Sequence, residues 1–130
     1  MRLATADQTF GGDYGYYSYS NQLSLTEGAG YVVANIFNAD DSWNVVAYEG
    51  DSTTPVKMSK ASAKADAYAL GYHVGVLNRN VNNYDGANKH TYYYKRSNIN
   101  APVKVVATDE FGNQYTANTF VSDFAEAMHY

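Results

Sequence analysis

The side chains best suited to chemistry are three histidines, His73, His90 and His129, and two carboxylate pairs, Asp40-Asp41 and Asp109-Glu110. A transition-metal site needs ligands at short spacing, as in H-x-H or H-E-x-x-H, and none of the histidines has such a neighbour. Each reads as an ordinary surface or core residue. Asn38, Asp40 and Asp41, with Asp51 further on, offer hard oxygens for calcium. The stronger reading is local: Asp and Asn initiate turns by bonding their own backbone, and EF-hand spacing is missing. Glycosidase chemistry needs two carboxyls held roughly 5–10 Å apart across a cleft. The pairs here fall in turn-like sequence instead. No G-x-S-x-G elbow, P-loop or dinucleotide fingerprint occurs. Gly28-Ala29-Gly30 lacks the third glycine and leads into strand-like sequence. With no cysteine, disulfides, thiolate metal sites and thiol catalysis are excluded, while the compartment stays open. The expectation is a chain with no catalytic residue and no metal or cofactor of its own.

The aromatics are the remaining candidates. Fourteen tyrosines are present. Tyr14, Tyr16, Tyr17 and Tyr19 crowd a short Gly- and Ser-rich stretch. Tyr92, Tyr93 and Tyr94 are consecutive, so on a strand their rings alternate between faces. Exposed tyrosines would stack sugar rings, which makes a glycan a candidate partner. The competing reading is that tyrosine fills the core and rim of a sheet protein, where it is common.

The elements that must hold these residues are mostly strands. The chain has 130 residues and a formal charge of −4, and is expected to form one domain over residues 1–130. Its basic residues are scattered, so it lacks the stripe a nucleic acid requires, and anionic membranes are disfavoured. No apolar run reaches the ~18 residues of a membrane span. Met1-Arg2-Leu3 is followed by polar residues and not by a signal-peptide core, so any export signal would lie outside this chain.

Residues 1–10 suit a first strand, and residues 11–21 (GGDYGYYSYSN) read as a loop with little core. Residues 22–27 suit a short strand. Residues 31–38 (YVVANIFN) are apolar almost throughout, as in a strand buried on both faces. After a turn, residues 43–49 (WNVVAYE) put Trp43, Val45 and Ala47 on one face. These two runs are expected to pair as a hairpin, with Trp43 packed between two sheets. Residues 59–70 have helical composition but a weak apolar face, compatible with a short helix or a loop alike. Residues 72–76 suit a strand, 77–89 a long Asn-rich loop, and 91–95 another strand. Residues 122–128 suit a short terminal helix capped by Ser122.

The clearest signal lies near the end. Val103, Val105 and Ala107 alternate with Lys104, Val106 and Thr108, which is strand periodicity. Asp109 to Asn113 supplies a turn, in which Gly112 and Asn113 tolerate positive φ. Residues 114–120 return as a second strand, with Phe111 and Tyr115 expected to pack. Six to eight short strands with turn signals and little helix indicate an all-β, antiparallel β-sandwich of immunoglobulin- or fibronectin-like type.

That closing hairpin resembles a segment of the form V-x-V-x-x-x-D-x-F-G-N-x-Y, matched here by Val103, Val105, Asp109, Phe111, Gly112, Asn113 and Tyr115. It is found in the C-terminal domain of calcineurin-like metallophosphoesterases, chiefly from Bacteroidetes. Residues 34–37 (ANIF) and 40–43 (DDSW), including Trp43, are similar to the family's strand pair. Met58 and residues 66–68 resemble its middle region, His90 the histidine before an aromatic strand, and residues 1–3 its first strand. The 11–20 and 77–89 stretches look particular to this chain. The resemblance implies an accessory domain of an exported periplasmic, cell-envelope or secreted protein. Its partner would be an upstream catalytic domain holding a dimetal centre built from D-x-H, G-D-x-x-D, G-N-H-[DE] and G-H-x-H motifs. None of those motifs occurs here, and Gly12-Asp13 and Gly50-Asp51 are lone pairs. The resemblance thus implies a phosphohydrolase whose chemistry lies in another domain.

Overall fold

The computed structural model describes residues 1–20, 30–36, 39–40, 42–60, 67–79 and 91–121. Ten strands appear among them: β1 (Arg2–Thr5), β2 (Thr9–Gly12), β3 (Gly15–Ser18), β4 (Tyr31–Asn35), β5 (Asn44–Glu49), β6 (Val56–Lys57), β7 (Ser59–Lys60), β8 (Thr91–Lys95), β9 (Val103–Thr108) and β10 (Gln114–Ala117). Between β7 and β8 lies one short helix, α1 (Ala67–Leu70), which runs on as a π-helical turn, Gly71–Val76. The strands form two four-stranded antiparallel sheets, ordered β1-β4-β8-β7 and β10-β9-β5-β6, and a two-stranded ribbon, β2-β3. The all-β sandwich with little helix holds among the described residues.

Period-2 patterning builds the inner core. Leu3, Val32, Ala34 and Tyr92 from the first sheet meet Val45, Ala47, Val103, Val105 and Ala107 from the second. Met58 plugs the crossing where the chain leaves β6 in one sheet for β7 in the other, and its N–H donates to Val45 O at 2.9 Å. The first sheet is also covered on its outer face. There Ala4, Ala6 and Val33 pack with Phe10, Tyr19, Ala67 and Tyr68, from the ribbon and α1. This second cover explains why residues 31–35 are apolar at both odd and even positions. β4 is central and buried on both sides.

Three expectations fail, each for a tertiary reason. The strand expected over residues 1–10 divides into β1 and the start of β2, and residues 11–18, expected as loop, complete a hairpin, with Thr9 opposite Ser18 and Gly12 opposite Gly15. Its strands are held by what Phe10 and Tyr19 bury, a non-local effect that glycine-rich local sequence conceals. β4 and β5 do not pair, because β1 and β8 occupy both edges of β4. The chain instead arches from one sheet to the other, with Ala39 N–H donating to Ile36 O at 3.0 Å and Trp43 N–H to Asp40 O at 3.2 Å. Residues 72–76 are helical, not extended. Leu77 N–H reaches back five residues to Tyr72 O at 3.0 Å, the π-helical pattern. The absence of a side chain on Gly71 permits this: a Cβ there would meet Phe10 backbone at 2.5 Å.

The strands at 91–95 and 103–108 form as expected, and the return strand stops at Ala117. The part of 59–70 that is described divides into β7 and α1. The expectations for residues 22–27, 80–89 and 122–128 lie outside the described residues.

Candidate functional site

The two ends of the sandwich carry different chemistry. At one end β9 passes into β10 through the Asp109 turn. Asp109 N–H donates to Asn113 O at 3.0 Å, and Gly112 N–H to Asp109 O at 3.1 Å. The Asp109 carboxylate accepts from Phe111 N–H and Asn113 N–H, both at 2.9 Å, and from Asn113 Nδ2 at 3.1 Å. Partial desolvation pushes the Asp109 pKa up. The bonds from the Asn113 side chain and from the backbone of Asn113, Phe111 and Gly112 outweigh it and hold the group below its ordinary value. Gly112 sits at φ +86°, where any other residue is strained. Both carboxylate oxygens of Asp109 are used in shaping the turn.

The turn presents Phe111 to solvent, 80% exposed. Tyr115 is 48% exposed and stacks on Trp43, with ring centroids 5.5 Å apart and planes 17° from parallel. Phe111 and Tyr115 therefore do not pack away, and Trp43 is only partly buried rather than enclosed between sheets. The registers show why. Tyr115 stands opposite Ala107, which stands opposite Val45, so all three face the core side of their sheet. But β10 is the edge strand, and Tyr115 is left beyond the cover that buries Val45 and Ala107. Val103 and Val105 are fully buried, as their periodicity predicts.

The opposite end is tied across the sandwich. Glu49 closes β5, and its carboxylate accepts from Tyr94 OH on β8 at 2.7 Å, from Ser97 N–H at 2.7 Å and from Asn98 N–H at 3.2 Å. The Tyr94 bond is the main cause holding the Glu49 pKa below its ordinary value. Desolvation, then the bond and charge of Glu49, push the Tyr94 pKa up to about 12. Arg96 N–H donates to Gly30 O at 2.7 Å, and its Nη1 to Ala101 O at 3.1 Å. Beside this network Thr5, Asp7, Arg96, Ile99 and Asn100 line an open depression of about 370 Å³. One acid and one base share it, and the Arg96 guanidinium is already bonded to Ala101. Sequence reasoning missed the Glu49 bridge. Its partners lie 45 to 49 residues away, and no local pattern marks them.

The seven candidate tyrosines do not form one surface. Tyr14 and Tyr16 are 57% and 65% exposed on the ribbon. Tyr17 is partly buried, and Tyr19 is 2% exposed, edge-on to Phe10. Tyr92 is buried in the inner core, Tyr94 points the same way, and Tyr93 packs on the outer face.

A family profile described as the C terminal of calcineurin-like phosphoesterase matches residues 5–115. This chain belongs to that family. Comparison with curated proteins and with solved structures gives no match. The match contains every residue of the hairpin motif and runs through the Tyr-rich ribbon, while residues 1–3 lie before it.

The family is one of phosphoesterase C-terminal domains, which implies that a metal centre would lie in a catalytic domain rather than in this one. None of the described residues forms a group of three or more His, Asp or Glu. Asp40 is held by Ser42, whose N–H and hydroxyl both donate to its Oδ1. Those bonds lower the Asp40 pKa, the hydroxyl's most of all. His73 lies on the π-helical turn with its ring edge-on to Tyr72. His90, His129, Asn38 and Asp41 lie outside the described residues.

Proposed function

We propose that this chain is a non-catalytic accessory domain that packs on, or extends from, the catalytic domain of a metal-dependent phosphoesterase. Its contribution is scaffolding: covering apolar surface of the catalytic domain or shaping the rim of its substrate cleft. The observation that carries this reading is the family match over residues 5–115. The carboxylates at the motif turn and at the arch support it, since both are committed to backbone geometry. The isolated chain is expected to fold and to leave p-nitrophenyl phosphate intact with added Mn²⁺ or Zn²⁺. Metal-dependent turnover that stays with the chain through a clean purification refutes the reading. The same reading has the full-length protein exported to the periplasm or cell envelope, which cell fractionation tests.

A second reading, binding of a cell-envelope glycan, rests on the two exposed ribbon tyrosines, Tyr14 and Tyr16. Glycan-array binding that Tyr16→Ala abolishes supports it, and a flat array removes it.

A further inference from the structure

We propose that the Phe111 end of the sandwich, with the Trp43–Tyr115 stack beside it, is the face that docks on the catalytic domain. The inference rests on the accessory-domain reading above and adds where the contact lies. Four observations converge on it.

Phe111 is a large apolar side chain held in the open by a rigid turn. Five hydrogen bonds fix residues 109–113, so presenting the ring costs little further ordering on docking. Preorganised aromatic anchors are the residues that carry binding energy at interfaces. The neighbouring Tyr115 is half open to solvent and stacks on the partly buried Trp43, which widens one knob into an apolar patch.

The topology brings the start of the chain to this end. Arg2, the first residue of β1, stands opposite Asn35, the last residue of β4. From there the chain arches directly into Trp43 and β5. Asn44 stands opposite Thr108, and Thr108 opposite Gln114, which bracket the Phe111 turn. A domain joined ahead of β1 therefore arrives at the end where Phe111 and Tyr115 are exposed. At the far end Glu49 is tied to Tyr94 and Ser97 by its own hydrogen bonds, and the depression beside it is lined mostly by polar side chains, with Ile99 its one apolar residue. The occupant is thus the catalytic domain of the same polypeptide, offering an apolar socket for the Phe111 ring.

Hydrogen exchange read by mass spectrometry tests this on the protein carrying its catalytic domain, beside the isolated chain. In the intact protein the amides of residues 109–117 are expected to exchange about tenfold more slowly or better than in the isolated chain. Phe111→Ser in the intact protein should abolish that difference and split one cooperative melt into two. The same substitution should leave the isolated chain's melting temperature unchanged, which shows that the domain still folds. Protection found elsewhere, for instance around Tyr14 and Tyr16, with Phe111→Ser silent, overturns the location while the accessory packing stands. Protection on no surface overturns the packing as well.

Discussion

The two ends of this sandwich solve the same problem in opposite ways. Each must finish two sheets and reverse several chains. The Glu49 end does so with long-range polar ties: one carboxylate on β5 accepts from a tyrosine hydroxyl on β8 and from two amides after it. The Phe111 end does so with local ties. The Asp109 carboxylate bonds its own turn, and the Asp40 carboxylate bonds Ser42. The first arrangement cross-links the sheets through the Glu49 carboxylate. The second leaves Phe111 and Tyr115 exposed. The Glu49 end is therefore tied across the sheets, and the Phe111 end is held by local turns that present Phe111 and Tyr115.

The largest effect should come from breaking the tied end. Glu49→Ala removes an acceptor from Tyr94 OH and two amides at once. Bonds to a charged group in a part-exposed setting are worth about 1–2 kcal/mol together after solvent screening. Urea denaturation of the isolated chain should show a loss of that size with an unchanged m-value. No loss means the two sheets are held by the inner core alone. Next comes Gly112→Ala at the other end. Alanine at φ +86° costs about 1 kcal/mol. Because the turn is local, this loss should add to that of Glu49→Ala in the double variant, within about 0.5 kcal/mol. A clear departure from additivity would mean that the two ends communicate through the sheets.

The ends also differ in their response to alkali. The folded state raises the Tyr94 pKa from 10.0 to about 12. Its contribution is thus complete below pH 10 and fades between pH 10 and 12, as the unfolded chain sheds a proton that the folded chain retains. Glu49 has the opposite sign. Its pKa is lowered from 4.5, so its contribution is complete above pH 4.5 and is lost as pH falls through the depressed value. Comparing the chain with Tyr94→Phe isolates the alkaline limb from the other tyrosines. The unsubstituted chain should lose stability relative to the variant between pH 10 and 12, by under about 1 kcal/mol, since water screens the pair. Parallel curves for the two proteins across that range would show that Tyr94 does not couple to Glu49.

Sequence made the Phe111 end legible for the same reason that it is a surface. Its ties are short in sequence, so Asp109, Gly112 and Asn113 announced the turn and Val103 and Val105 the buried face. The fate of Phe111 and Tyr115 was not legible, because alternation tells which face a residue takes and not whether another sheet covers that face. The Glu49 end was hidden, its partners being more than forty residues away. The ribbon was misread because its strands depend on Phe10 and Tyr19 reaching a second core that no local pattern shows. The β4–β5 arch was misread because short connections usually join neighbours. Here the edges of β4 are filled by strands from distant parts of the chain. The family, by contrast, was legible in the sequence, most specifically in the closing hairpin, whose turn residues Asp109, Gly112 and Asn113 are dictated by local backbone geometry.

The smallest expected effect is the sharpest test of the contrast. Phe111→Ser in the isolated chain removes the most exposed large apolar side chain among the described residues. A side chain 80% exposed has little apolar area to give back on unfolding, so stability should change by less than about 0.5 kcal/mol. The amide of Phe111 still donates to Asp109, so the turn keeps its geometry. What should change is solubility, which should rise as the patch with Trp43 and Tyr115 loses its tip. Trp43 is the chain's one tryptophan, so its fluorescence reports whether the stack survives, and its emission should not move. A loss well beyond 0.5 kcal/mol, or a shifted Trp43 spectrum, would place the Phe111 ring inside the fold's own packing. The Phe111 end would then be held together much as the Glu49 end is, and the case for it as a surface would fall with that difference.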